Sequence, residues 1–291
     1  MIQKHRLNLS GIVFAIPAVA LVGTFFLYPL IRVGVMSLQH YSVLGENAFV
    51  GLSNYRATLT DGEFWASLWN TVIYTAIVTP MIFLPAFFVA ILLSSTSSTT
   101  VFLRTVFFVP VAISFVAASY IWIWIYQDSY GVLNYVLMKA GVLASPVHWL
   151  GRTWLARLMV SLMISWKTFG LSMIIIVAGL QGIPAEVYEA ADIDGASPWQ
   201  RLSRITLPLI RPTLLLALIL SLAGSFKAFD QFVIMTSGGP MRSTQTVVMY
   251  INKLGFERYD LGHGAAVSVM FLILLLSLSY QQLRLGGYFD E

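Results

Sequence analysis

The chain has 291 residues, of which 58% are apolar and only 10% charged, and its mean hydropathy is +0.79. A soluble domain carries roughly 25% charged residues, so a chain this short of charge could not cover its own surface in water, and lipid must solvate much of it. The absence of cysteine excludes disulfides, thiolate metal sites and cysteine nucleophiles, and a dispersed net charge of +4 does not suggest nucleic acid.

Six runs are apolar and long enough to cross a bilayer, at about 11–31, 68–93, 106–126, 156–180, 209–235 and 263–283. None alternates as a strand would, so the expected fold is an all-α polytopic membrane protein with six transmembrane helices in one domain over 1–291, rather than a barrel. Pro17, Pro29, Pro80, Pro85 and Pro110 lie in or beside these runs. Neighbouring helices can satisfy the carbonyls they free. The first run follows Lys4, His5 and Arg6, as a signal peptide would, but its apolar stretch is too long and lacks a convincing cleavage site, so it reads as a retained anchor. An even number of spans puts both termini on one side. The segments between spans hold equal numbers of basic residues on the two sides, and the shorter set, with Arg104, Arg201, Arg204 and Arg211, has the higher basic density. That favours placing both termini inside.

Tyr120, Trp122, Trp124 and Tyr126 close the third run, where amphipathic rings suit an interfacial belt. Two clusters put charge inside a span, which is costly and marks a functional candidate. Trp166-Lys167-Thr168-Phe169 lies near the middle of the fourth run, and Phe226-Lys227-Ala228-Phe229-Asp230-Gln231 in the fifth. Each sets hydrogen-bonding groups beside aromatic faces, the mixture a sugar ring wants. Lys167, Phe169, Lys227, Phe229 and Asp230 are therefore the candidates for a solute path. Lys227 and Asp230, three apart, are expected to share a helix face and partly neutralise each other. The plainer alternatives are that Lys227 snorkels and that Lys167 pairs with a carbonyl or a partner subunit.

Between the fourth and fifth runs, residues 182–208 hold most of the clustered charge. They read as two short helices with a corner. Pro184 suits a first helical position, with Glu186 and Glu189 at the positive end of the first helix. Gly195 is placed to take the left-handed conformation that stops it. Ser197 can cap the second helix, with Pro198 following and Gln200 completing a capping box. Acids open the first helix and arginines sit on the second, while Ala190 and Ala191 leave a close-approach surface. On composition alone this is an ordinary solvated loop.

Its spacing is more specific. Glu189-Ala190-Ala191, three residues, Gly195, nine residues, Ile205, one residue and Leu207-Pro208 resemble the EAA signature of ABC importer permeases. Pro17, Tyr28-Pro29, Gly51-Leu52-Ser53-Asn54-Tyr55, Asn70-Thr71, Phe229-Asp230, Thr236, Gly238-Gly239-Pro240 and Thr244 are similar to the binding-protein-dependent sugar permeases of the maltose and glycerol-phosphate branch. The resemblance implies a permease subunit that moves a sugar or related carbohydrate across a bacterial inner membrane, with both termini cytoplasmic. It implies that Glu186, Glu189, Ala190, Ala191, Asp194 and Gly195 dock as a coupling helix on a separate ATPase. The implied partners are a second homologous permease, an ABC ATPase dimer that binds the ATP and magnesium, and an extracytoplasmic solute-binding protein. The chain carries no phosphate-cradling glycine loop, so the permease itself is expected to need no cofactor and to be no enzyme. Glycerol phosphate or a polyol is the alternative cargo, and a secondary transporter the alternative mechanism. Inverted repeats would mark the latter, and none is evident between the halves.

Overall fold

A computed structural model describes residues 9–41 and 47–285, so Lys4, His5 and Arg6 lie outside the described residues. In chain order the helices are α1 (Leu9–Val22), α2 (Tyr28–Met36), α3 (Ser53–Thr60), α4 (Gly62–Leu92), α5 (Ser98–Ala112), α6 (Phe115–Tyr126) and α7 (Val132–Lys139). After these come α8 (Thr153–Gln181), α9 (Ala185–Ile193), α10 (Pro198–Arg201), α11 (Leu207–Leu209), α12 (Arg211–Phe226), α13 (Asp230–Thr236), α14 (Val247–Asn252) and α15 (Leu261–Leu285). Wider π turns at Gly23–Leu27 and Leu202–Thr206 join α1 to α2 and α10 to α11, and a third at Lys253–Glu257 extends α14. The helical expectation holds, and β1 (Gln39–His40) and β2 (Ala48–Phe49) form one small antiparallel pair.

Among the described residues, four helices are long and apolar enough to cross a membrane by themselves: Phe14–Met36, Gly62–Leu92, Thr153–Gln181 and Leu261–Arg284. Two further crossings are possible only as bent pairs. Ser98–Ala112 and Phe115–Tyr126 meet at 97°, and Pro198–Leu209 and Arg211–Phe226 at 68°. The third run expected over 106–126 contains a break, because Ile113 and Ser114 are extended and the Ser114 hydroxyl caps α6 by accepting from the Ala117 amide. The fifth run also stops short, since α12 ends at Phe226 and α13 begins at Asp230. Pro17, Pro80, Pro85 and Pro110 all sit inside helices.

The chain divides into two compact units, described separately. One comprises the chain up to Gly62 together with Ile251–Ile273. None of the apolar stretch of its first span is buried within the chain, so that helix is solvated by lipid or by another subunit along its length. In the same unit Asn54 donates to the Ser37 and Gln39 carbonyls, both at 2.9 Å, and Ser37 meets the Tyr55 hydroxyl at 2.7 Å.

The second unit comprises Glu63–Tyr250 and Leu274 onward. Its axis is α8, whose apolar stretch is 61% buried against 33% for α4. Val160, Met163 and Ile164 of α8 pack with Tyr74, Val78 and Ile82 of α4, Ala118 and Tyr126 of α6, and Phe232 and Met235 of α13. One end further along, Met173, Ile176 and Val177 pack with Ala86 and Ala90 of α4 and Ala217 of α12. Within lipid, helix association depends on close van der Waals fit and interhelical hydrogen bonds rather than on expelling water. Small residues provide that fit. At Gly170 a Cβ would lie 2.4 Å from the Phe107 carbonyl oxygen, so only glycine lets α8 approach α5 this closely.

Candidate functional site

The 182–208 segment folds as the capping pattern predicts, offset by one position at its start, where Pro184 is the cap and Ala185 the first helical residue. Gly195 has φ +72°. The Gly195 amide donates to Asp192 and the Ala196 amide to Ala191, at 3.1 and 2.9 Å, the paired bonds of a left-handed helix stop. Both halves of the Ser197–Gln200 capping box are present. Two contacts set the second helix against the first: Arg201 to Asp192 at 2.6 Å, and Tyr188 hydroxyl to Thr206 hydroxyl at 3.0 Å. Ala191 is buried in this corner, while Glu186, Glu189, Ala190, Asp194 and Gly195 are exposed. Beside those acids stand two apolar side chains with almost no cover from this chain, Ile193 at 87% and Trp199 at 71% exposure.

Inside the second unit, α4, α6, α8, α12 and α13 line a partly open cavity of about 170 Å³. Its walls mix apolar side chains, including Ile82, Phe115 and Leu171, with Tyr74, Thr168, Ser172, Ser221, Ser225 and Gln231. No lining residue is charged. Thr168, Ser221 and Ser225 each donate to the carbonyl four residues back, Ile164, Ala217 and Ser221, at 2.6–2.8 Å. With Ser221 donating along its own helix, Ser172 is the donor in the 3.0 Å Ser172–Ser221 contact between α8 and α12. These hydroxyl oxygens therefore present lone pairs to whatever enters. The Tyr74 hydroxyl is buried and, among the described residues, makes no well-formed hydrogen bond.

None of the five residues expected on the solute path lines this cavity. Lys167 lies in α8 at 6% exposure. Its ammonium donates to the Val111 carbonyl at 3.3 Å and stands 4.4 Å above the centre of the Phe115 ring. Phe169 packs edge-on against Phe107 of α5. The expected shared helix face of Lys227 and Asp230 is not found. Lys227 caps the end of α12, Phe229 leaves helical geometry at φ −136°, and Asp230 opens α13. Both side chains are exposed, and among the described residues they form no ion pair with each other. Lys227 instead lines a separate cleft with Leu222, Phe226, Leu275, Ser279 and Gln282. The aromatic run divides by face. Tyr120 and Trp124 point outward, Trp122 meets Trp166 at 5.6 Å, and the Tyr126 hydroxyl donates to the Met159 carbonyl at 3.0 Å.

Sequence reasoning missed a polar cluster that ties the 237–246 loop to α4 and α8. Asn70 donates to the Arg242 and Gln245 carbonyls at 2.8 and 3.3 Å and accepts from Arg157 at 2.7 Å. Arg157 also donates to the Ser243 carbonyl at 3.0 Å, and Gln245 donates to Glu63 and Ser67 at 3.1 and 3.0 Å. Partners more than 80 residues apart leave no periodic signal. The hints in the sequence were that an Asn and an Arg sit within or beside apolar runs, and that Asn70-Thr71 belongs to the permease resemblance.

Comparison with known proteins agrees with this architecture. The chain is similar to the arabinooligosaccharides transport system permease protein of Bacillus subtilis (strain 168), 35% identical over 286 residues covering 95% of this chain and 88% of that one. It is also similar to the trehalose/maltose transport system permease protein of Thermococcus litoralis, 33% identical over 289 residues covering 98% and 96%. The crystal structure of a bacterial ABC transporter involved in the import of the acidic polysaccharide alginate superposes at a TM-score of 0.81 with 21% identity over 96% of both chains, a likeness of fold. With residues 57–285 matching the family described as binding-protein-dependent transport system inner membrane component, the chain belongs to that family of membrane permeases.

Proposed function

We propose that the chain is one of two related permease subunits of an ATP-driven importer and that its cargo is a neutral carbohydrate. The observation that carries the cargo is the cavity within the helical bundle. Sugars offer hydroxyl donors around a ring with apolar C–H faces. The cavity answers with the lone pairs of Thr168, Ser221 and Ser225, the Tyr74 hydroxyl, and the apolar wall of Phe115 and Leu171. It holds no cation, so a phosphorylated cargo would be desolvated without a counter-charge, which disfavours the glycerol-phosphate alternative. The permease relatives named for arabinooligosaccharides and for trehalose or maltose support the same class.

The rest of the assembly is inferred from the surfaces and chemistry that this chain leaves open. Hydrolysis belongs to a separate ATPase dimer, which binds ATP and magnesium. Glu186, Glu189, Ala190, Ala191, Asp194 and Gly195 form the docking segment for it, with Ile193 and Trp199 as the apolar anchors of that contact. An exposed aromatic beside acids is the composition of a protein interface rather than a solvated turn. On this reading the 182–208 segment and both termini are cytoplasmic in a bacterial cell, with an extracytoplasmic binding protein on the far side. A structure of the alginate importer with its pentasaccharide-bound periplasmic protein is an example of that arrangement. Uptake by the reconstituted importer should be blocked by neutral oligosaccharides and unaffected by glycerol phosphate at equal concentration. Inhibition by glycerol phosphate alone would reject the carbohydrate reading.

A further inference from the structure

The most heavily buried cation in the bundle has no task in the function described so far. Lys167 sits within α8 without a carboxylate among the described residues, an arrangement that costs stability in lipid unless something else takes up the charge. Two groups do. Val111 belongs to the last turn of α5, where carbonyls have no intrahelical donor and the helix dipole is negative, and its oxygen accepts from the ammonium at 3.3 Å. Phe115 opens α6, and its ring face lies 4.4 Å from the same ammonium. The cation thus touches both sides of the 97° break between α5 and α6. Phe115 is in turn part of the cavity wall, and Thr168, the residue after Lys167, contributes a hydroxyl to the same cavity.

We propose that Lys167 is a positioning residue for cargo selectivity. It does not touch the solute; it fixes the break in the third span so that the Phe115 ring becomes a wall of the solute cavity. One turn along α8, the close approach of Gly170 to Phe107 brings the two helices near enough for the lysine to reach the end of α5. The Ser114 cap completes the joint by satisfying the first turn of α6. The break therefore has a dedicated partner on each side, one for the free carbonyls of α5 and one for the free amides of α6. This inference rests on the reading of the cavity as the solute route.

Two measurements on the complete reconstituted importer test it. The chain has no native cysteine, so spin labels on cysteines introduced at the exposed positions Phe102 and Tyr120 report the α5–α6 angle by pulsed electron resonance. The second readout is the ratio of uptake rates for a short and a longer neutral oligosaccharide, each saturating the binding protein, which cancels any change in the amount of assembled complex. Lys167→Met should shift or broaden the label distance and change the ratio by about threefold or more. Lys167→Arg should restore both, and Lys167→Gln, which keeps a donor without the charge, should fall between them. Phe115→Leu should change the ratio with the distance unaltered, and adding Lys167→Met to it should change the ratio no further. A Lys167→Met variant with wild-type distance and ratio overturns the proposal, as does a ratio that changes in Lys167→Met but not in Phe115→Leu. Should Lys167→Met fail to assemble, Lys167→Gln and Phe115→Leu decide the same two points. Ser221→Ala and Thr168→Val separate this inference from the reading beneath it. An unchanged ratio in both rejects the cavity as the solute route, whereas a changed ratio in them with an unchanged one in Lys167→Met rejects only the positioning role.

Discussion

The Arg157 guanidinium in α8 donates to the Asn70 side-chain oxygen in α4 at 2.7 Å, and the same asparagine holds the carbonyls of Arg242 and Gln245. One buried amide therefore joins two spans and a loop. Replacing Asn70 with Ala would strand a guanidinium hydrogen and two carbonyls. The expected loss is about 2–3 kcal/mol, since a buried group left unsatisfied costs more than the bond itself was worth. Arg157→Leu should behave similarly and the two together should be less than additive. Thermal unfolding of the assembled complex, with proteolysis between Ser237 and Thr246 as the local probe, measures both. Additive losses would show that the contact carries no energy.

Gly170→Ala and Gly195→Ala should differ in kind. At Gly170 the new methyl meets the Phe107 backbone, so α8 and α5 must separate, at about 1–3 kcal/mol. At Gly195 nothing lies within 4 Å of the new methyl, and the cost is only the left-handed backbone, about 1 kcal/mol. Melting temperatures of the two variants test the order, and equal losses would count against the close-approach account.

Coupling should respond to the opposite member of that pair. Gly195→Val rotates α9 against α10, and Glu189→Lys reverses an exposed charge in the segment assigned to ATPase docking. Both should lower solute-stimulated ATP hydrolysis in the reconstituted importer without changing the affinity of the binding protein for its solute. Trp199→Ala should do the same through loss of an apolar anchor. Wild-type stimulation in all three would remove the docking assignment.

Lys227 and Asp230 provide a case where no coupling is expected. The break between α12 and α13 separates them, so Lys227→Met and Asp230→Leu should combine additively in stability, within about 0.5 kcal/mol. A coupling energy well above that would mean that they pair in the assembled complex.

What was legible in the sequence had a short reach. The apolar runs locate the spans because lipid sets their length, and the 184–208 caps follow from residues three or four apart, as Ser197 and Gln200 show. The break at Ile113–Ser114 was not legible. Hydropathy stays high straight through it, and what secures it is Lys167, some fifty positions later, together with a serine whose capping role looks no different from that of any other serine. The same limit applies to the cavity. Thr168, Ser221 and Gln231 are each unremarkable, and only the packing of α8 against α12 and α13 brings them to one place. Lys167 and Lys227 drew attention as charges in apolar surroundings, yet the first serves a helix end and the second a separate cleft.

The central position of α8 imposes an order on biosynthesis. When this helix leaves the ribosome, Val111 and Phe115 are already made, so the Lys167 charge enters the bilayer with its partners waiting. The hydroxyl of Ser172 has no such provision, because Ser221 is translated about fifty residues later. Close packing at Gly179 likewise waits for Thr213. The nascent bundle can therefore hold its buried charge before it can complete its polar interior, whose remaining walls arrive only with α12 and α13.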